Sequence, residues 1–379
     1  MTMVYGKCDS KFREVQVLLK QFIESGKELG ASITVNVDGE EVVDIWGGYA
    51  NESRTQPWEE NTIVNVFSCS KTVLSLAALI LVDRGLLDLN EKVAHYWPEF
   101  QAQGKGEILV RNLLSHTAGI SGWDDPISIK TLYDIEKSTT MLADQAPWWT
   151  PGTASGYHAL SMGHLLGELV RRTSGKTLRE FISTEIAGQL DVDFQFGASE
   201  QDWPRISNIV PPKNSGIWPQ FEPGSIQAKT LLNPPLDPEY ANTDAWRRAE
   251  LGAVNGHGNS RSLARILSII TLGGSSRGKC LLSESTIRLI FQEQQCGQDL
   301  VLGMPFRFGI GFGLTPSGGL DWLPEGNVCF WGGWGGSFVI MDLDRRMTIA
   351  YTMNKMGSGL VGSDRATAYG KAVYKAVSS

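Results

Sequence analysis

The sequence has little that would suit a metal ion, a nucleic acid or a bilayer. Its five histidines (His95, His116, His158, His164, His257) are scattered and make no His-Glu-x-x-His pattern, which disfavours a metallohydrolase. The five cysteines (Cys8, Cys69, Cys280, Cys296, Cys329) form an odd set without paired ligand spacing, as reduced thiols do, so zinc is not expected. No cofactor is called for. The net charge of -7 comes without a basic cluster or charge run, which argues against nucleic acid and anionic membrane as partners. No apolar stretch approaches a transmembrane span, and Met1-Thr2-Met3-Val4-Tyr5-Gly6-Lys7 turns polar where a signal peptide would turn apolar. The expectation is an intracellular, cytoplasmic protein whose oligomeric state the sequence leaves open.

What is present is a chain with 42% apolar residues, able to bury a large core as one big domain or two interlocked ones. Phe67-Ser68-Cys69-Ser70-Lys71-Thr72 sets a hydroxyl and an amine three residues apart at the start of an apolar helix. Between Cys69 and Arg84 the residues Val73, Leu74, Ala77, Leu79, Ile80 and Leu81 leave almost no polar face, and Gly85 follows as a helix stop. Residues i and i+3 share a helix face, so Lys71 can take the Ser68 proton once burial and the helix dipole lower its pKa. The first helical turn also offers unpaired backbone N–H groups to an oxyanion.

Chance alone supplies about one Ser-x-x-Lys match in a chain this rich in serine and lysine. The second match, Ser276-Arg277-Gly278-Lys279, also completes a Gly-x-Ser-x-Gly spelling from Gly274. A nucleophile elbow needs a strand before it and a helix after it. Leu263 to Leu272 reads instead as a helix running into Gly273-Gly274, so Ser276 is set aside.

Helical spacing of Phe12, Val15, Leu18, Leu19, Phe22 and Ile23 predicts an opening amphipathic helix. Strands over Ala31 to Val37 and Glu41 to Trp46 flank the turn signal Asp38-Gly39. A further helix is expected from about Ala159 to Arg172, closed by Gly175. Strand signals return at Phe308 to Leu314, Asn327 to Trp331, Ser337 to Asp342 and Met347 to Met353, before a last helix over Asp364 to Val377. The fold class read from this order is α/β (α+β), one antiparallel sheet built from both chain ends and flanked by helices. Residues 1–66 and 285–379 would form the sheet domain, and 67–284 an inserted, mainly helical domain. Within the latter, the proline-rich stretch 204–238 reads as a cap over the site.

Five motifs occur in order: Ser68-x-x-Lys71, Leu114-Ser115-His116-Thr117-Ala118-Gly119, Gly156-Tyr157-His158-Ala159, Gly256-His257-Gly258-Asn259, and Trp331-Gly332-Gly333-Trp334-Gly335-Gly336-Ser337. Together they resemble the serine β-lactamase-like superfamily over nearly the whole chain. Within it they look most like the class C β-lactamase branch, above all family VIII carboxylesterases and fungal acyltransferases of the lovastatin type. The resemblance implies a β-lactamase/transpeptidase-like fold with Ser68 as nucleophile, Lys71 as its base and Tyr157 as the phenol of the triad. A phenol near a lysine ammonium is expected to have a lowered pKa and to relay a proton to the leaving alcohol.

By position, Trp331-Gly332-Gly333 stands where β-lactamases and penicillin-binding proteins carry Lys-Thr-Gly. The resemblance makes the N–H groups of Ser68 and Trp334 the oxyanion donors, with Gly332 and Gly333 letting substrate lie against the strand edge. The family's Tyr-x-Asn reads Tyr157-His158-Ala159. Loss of both the lysine and the amide favours esters over β-lactams. Trp331 and Trp148, with Trp149 and Trp334 beside them, are candidates for an aromatic substrate pocket, and His257 for a substrate contact. His116 belongs to a structural turn in this pattern. The expected activity is a serine esterase acting on a small-molecule ester, thioester or lactone. An acyltransferase would use the same residues; β-lactamase or D-amino-acid peptidase activity and a non-catalytic binding role rank behind.

Overall fold

Apolar strand patterns from opposite ends of the chain pair with one another. In the computed structural model, which describes residues 3–212 and 220–378, nine of the described strands make one sheet. Its order is Val4–Cys8, Glu40–Gly48, Gly30–Val37, Met347–Met353, Phe338–Asp342, Val328–Gly332, Gly313–Leu314, Pro305–Phe308 and Gln295–Gln298, every neighbouring pair antiparallel. The seam between the chain ends runs from Val37 opposite Met347 to Ala31 opposite Met353. Asp38 and Gly39 turn the first hairpin with φ of 53° and 91°, the paired positive φ that a two-residue loop needs to match strand twist.

Side chains alternate across the strands, and the two faces take different helices. Thr34 and Thr348 bond to Ser260 and Thr271 of the helix Ser260–Thr271 (2.8 and 3.0 Å). Tyr351, of opposite parity, meets Tyr369 of the C-terminal helix Asp364–Ser378 at 5.1 Å between rings. That helix packs with the opening helix Arg13–Glu24, which buries Val15, Leu19 and Ile23. The fold is therefore layered helix, sheet, helix.

Beyond the first hairpin the chain forms a small second sheet from Phe194–Phe196, Gly256–Gly258, Ile63–Asn65 and Ile206–Ser207. This sheet leads into a 3-10 turn, Phe67–Cys69, and the helix Ser70–Asp83, buried on every side from Ser70 to Leu81. Phe67 has φ +43°, a left-handed conformation costing a non-glycine residue about 1–3 kcal/mol, directly before Ser68. Helix Ser161–Ser174 packs against the Ser70–Asp83 helix and ends at Gly175, φ +72°, as the sequence predicts.

The strand expected over Phe308 to Leu314 is two strands. Gly309 N–H turns back to Phe312 O (3.0 Å), and a β-carbon at Gly309 would lie 2.0 Å from Ile290 O. The edge strands Val4–Cys8 and Gln295–Gln298 have no counterpart in the sequence reading. Of the proline-rich stretch, residues 213–219 lie outside the described residues, as do Met1 and Thr2 of the leader reading. The described remainder includes the helix Ile226–Leu231. Among the described residues no helix is long and apolar enough to cross a membrane.

Candidate active site

The second sheet delivers the chain to Ser68. Val66 N–H donates to Gly256 O (2.9 Å), and Gly256 N–H donates to Ser70 Oγ (2.8 Å), so the helix entrance is fixed on both sides of the serine. Ser68 is 8% exposed and Lys71, one turn on, 1%. Lys71 Nζ lies 3.2 Å from Ser68 Oγ, 2.8 Å from Ala159 O and 3.0 Å from Ala253 O. Burial holds the amine well below the ordinary lysine range. A neutral amine has two N–H groups and one lone pair. The two carbonyls take the N–H groups, which leaves the lone pair for the Ser68 hydroxyl proton.

Tyr157 Oη donates to the same Ser68 Oγ at 2.7 Å. Ser68 Oγ is thus bonded to both the phenol and the amine, with Nζ 4.7 Å from the phenol ring centre. Burial raises the Tyr157 pKa, although the bond to Ser68 opposes it. This corrects the expectation of an acidified phenol: burial is the largest influence on both groups, raising the phenol and lowering the amine. Tyr157 is held from behind by Trp331 and His116, at 5.4 and 5.2 Å between rings. His116, with φ +61°, accepts the His158 N–H on Nδ1 (3.1 Å) and so shapes the turn, as its motif implies.

A narrow pocket opens at Ser68 and Tyr157, walled by Leu160, Leu231, Leu236, Val254, Trp334 and Leu360. Leu231 and Leu236 come from the proline-rich stretch, as does Thr230, whose hydroxyl is already bonded to Ser121 Oγ (2.6 Å). No lysine or arginine lines the pocket among the described residues.

Ser68, Lys71, Tyr157 and Trp334 come together here; three other candidates stand elsewhere. Trp331 is 2% exposed and backs Tyr157 without reaching the pocket wall. Trp148 donates its indole N–H to Asp124 (2.7 Å) under the Lys229 ammonium, 4.0 Å from its ring centre, and so ties down the helix Ile226–Leu231. His257 is fully buried on the strand Gly256–Gly258, its pKa lowered to about 3 by burial. The glycines serve backbone packing. A β-carbon at Gly333 would lie 2.4 Å from Val66 O, and one at Gly332 2.7 Å from Gly362 N, so both positions need glycine for close approach of the chain. Ser276 lies on the short strand Ser275–Ser276, bonded to Ser268 Oγ (3.0 Å) and Arg265 O (3.1 Å), with no elbow.

The sequence reading missed Asp299, whose carboxylate accepts the Tyr157 N–H (3.1 Å), and the carbonyls of Ala159 and Ala253 on Lys71. Backbone acceptors have no sequence signature, and Asp299 sits in no motif.

Comparison with known proteins identifies the family and the fold. The Beta-lactamase family model matches residues 15–374. "Esterase/beta-lactamase LipL" of Mycobacterium tuberculosis is 31% identical over 96% of this chain and 86% of its own. The crystal structure of a family VIII carboxylesterase superposes with a TM-score of 0.92 at 34% identity, covering 99% of this chain and 100% of the other. A penicillin-binding protein homolog from Caulobacter crescentus gives a TM-score of 0.92 at 33% identity, with 99% and 100% covered.

Proposed function

We propose that this chain, which belongs to the Beta-lactamase family, is a serine esterase working through an acyl-enzyme on Ser68. The observation that carries this reading is Ser68 Oγ held between Tyr157 Oη at 2.7 Å and Lys71 Nζ, its pKa lowered by burial, at 3.2 Å, at the mouth of an apolar pocket. Lys71 takes the hydroxyl proton as Oγ attacks the ester carbonyl, and the N–H groups of Ser68 and Trp334 hold the developing oxyanion. Collapse breaks the bond to the alcohol. The leaving oxygen takes the Tyr157 proton, which Lys71 replaces. Water then donates a proton to the amine as it attacks the acyl carbon, and the acid leaves as Oγ is reprotonated.

A neutral ester, thioester or lactone suits a pocket without a cation, whereas a substrate carboxylate would be desolvated there with no partner. The relative named as an esterase/β-lactamase and the carboxylesterase structure support the ester reading. Transfer of the acyl group to an alcohol would use the same residues, and the apolar wall favours an alcohol over water as it enters.

The test is intact-protein mass spectrometry after mixing with p-nitrophenyl acetate, with nitrophenol release followed in parallel. An acetyl adduct present in the wild type and in Ser276→Ala but absent in Ser68→Ala is the expected outcome. Release that survives Ser68→Ala and disappears in Ser276→Ala would overturn the assignment. Faster release on adding short alcohols would favour acyl transfer.

A further inference from the structure

The reaction above leaves unused a buried carboxylate behind Tyr157. Asp299 is fully buried and begins a turn ahead of the strand Pro305–Phe308. Its Oδ1 accepts the N–H groups of Val301 (2.9 Å) and Leu302 (2.8 Å), and that of Tyr157 (3.1 Å), a residue 142 positions away. Leu300 N–H donates to Ser155 O (2.8 Å), so residues 155–157 hang from this turn by two bonds. Oδ2 has no hydrogen-bond partner among the described residues, buried as it is.

The local turn does not account for an acid at this position. An asparagine would accept the Val301 and Leu302 N–H groups equally well without burying a charge. What the carboxylate adds lies towards Tyr157. We propose that Asp299 is a positioning residue for acyl transfer, holding the Tyr157 backbone so that the phenol stands over Ser68 Oγ. This rests on the esterase reading. Tyr157 Oη projects far from its backbone, so a small tilt at the N–H displaces the hydroxyl by more. A displacement of about 1 Å costs about 100-fold in rate. The same negative charge also opposes a phenolate and helps keep the phenol a donor. Other titratable groups facing the phenol are Lys71, Cys69 and His116, all on elements that a change at residue 299 leaves in place.

Two variants separate position from charge. Asp299→Asn keeps the acceptor and removes the charge; Asp299→Ala removes both. In the full-length protein, active sites are titrated by the nitrophenol burst. Acylation is then measured per titrated site across pH, with thermal unfolding alongside. Asp299→Ala should acylate about 10–100-fold more slowly per site with little change in KM. Asp299→Asn should recover most of that rate near neutral pH, with the alkaline limb of kcat/KM moved to lower pH. A folded Asp299→Ala with the wild-type rate per site reduces Asp299 to a turn-former and overturns the proposal. Should Asp299→Ala not fold, Asp299→Ser, whose shorter side chain can cap the local turn without reaching the Tyr157 N–H, decides by the same rate per site. A wild type that forms no acetyl adduct and releases no nitrophenol overturns the esterase reading and this inference with it, an outcome distinct from wild-type turnover that Asp299→Ala leaves unaltered.

Discussion

Gly333→Ala tests how the last motif serves the nucleophile, because the clash it creates has a known direction. Gly333 is not among the glycines with positive φ, so alanine fits its backbone conformation and only space is at issue. The added methyl would lie 2.4 Å from Val66 O, about 1 Å inside ordinary contact. Val66 has little room to retreat: its N–H is bonded to Gly256 O (2.9 Å) and its carbonyl accepts the Cys69 N–H (3.2 Å). The strand Val328–Gly332 and the turn after it must therefore move outward, carrying the Trp334 N–H from its proposed oxyanion position. Overpacking of this kind costs about 1–3 kcal/mol, which lowers the unfolding midpoint by roughly 1–4 °C in a chain of this size. Loss of one oxyanion donor costs about 100- to 1,000-fold in kcat. Gly332→Ala is the control, because its methyl points at Gly362 N (2.7 Å) and away from the Ser68 turn. It should share the loss of stability and keep more of the rate. The assay is burst kinetics with p-nitrophenyl acetate beside thermal unfolding. A Gly333→Ala protein that is destabilised yet acylates at the wild-type rate would refute the oxyanion role given to Trp334.

Three further outcomes follow from the same geometry. Tyr157→Phe removes the donor 2.7 Å from Ser68 Oγ and should lower kcat about 100- to 10,000-fold with little change in unfolding temperature; a loss under tenfold would deny the phenol its relay. Lys71 works as a base only when unprotonated, and activity falls as pH drops through its pKa. Because burial lowers that pKa, the acid limb of kcat/KM should lie far below the ordinary lysine range, and Lys71→Arg, charged at every working pH, should give no burst. A limb near pH 10 would sink the neutral-amine argument. Leu231→Ala shortens a pocket wall 5% exposed, costs about 2–5 kcal/mol, and should raise kcat/KM for butyrate relative to acetate esters; an unchanged ratio would place the acyl group elsewhere.

The parts of the fold legible in the sequence are those whose signals are local. Ala31 to Val37 and Met347 to Met353 are apolar runs bounded by turn residues, and Asp38-Gly39 fixes its hairpin without help from the rest of the chain. Val4–Cys8 is mostly exposed and Gln295–Gln298 only half covered, so no apolar alternation marks them. Their pairing comes from the backbone of the neighbouring strand. The same division runs through the site. Ser68 and Lys71 are one helical turn apart and readable as a pair, whereas Tyr157 is 89 residues from Ser68 and was reached only through resemblance. Trp148 and His257 carry the chemistry of a binding site in their side chains, but the direction in which those side chains point depends on Asp124 and on the second sheet. The direction of the phenol pKa was misread for a related reason: burial raises it, and burial of Tyr157 depends on the packing of distant residues such as His116 and Trp331 around it.

Substrate choice and base activation have one physical origin in the proposed reaction. Burial lowers the Lys71 pKa and raises that of Tyr157, so exclusion of water favours the uncharged form of both, and no lysine or arginine lines the pocket among the described residues. Charge develops only during attack, as a positive amine and a negative carbonyl oxygen a few ångströms apart, where a low dielectric makes their attraction and the backbone N–H bonds stronger than in water. A neutral ester enters without disturbing this arrangement. A substrate bearing a carboxylate brings a charge that must be desolvated, at a cost of several kcal/mol when it finds no partner. At 1.4 kcal/mol for each tenfold change, that amounts to at least about 100-fold discrimination against such substrates. Trp331 adds to it: a lysine at that position would offer a partner, but it would replace the ring that packs 5.4 Å from Tyr157 and would set a second cation near Lys71. A gain in carboxylate recognition at residue 331 would therefore come with a displaced phenol and a slower acylation of neutral esters.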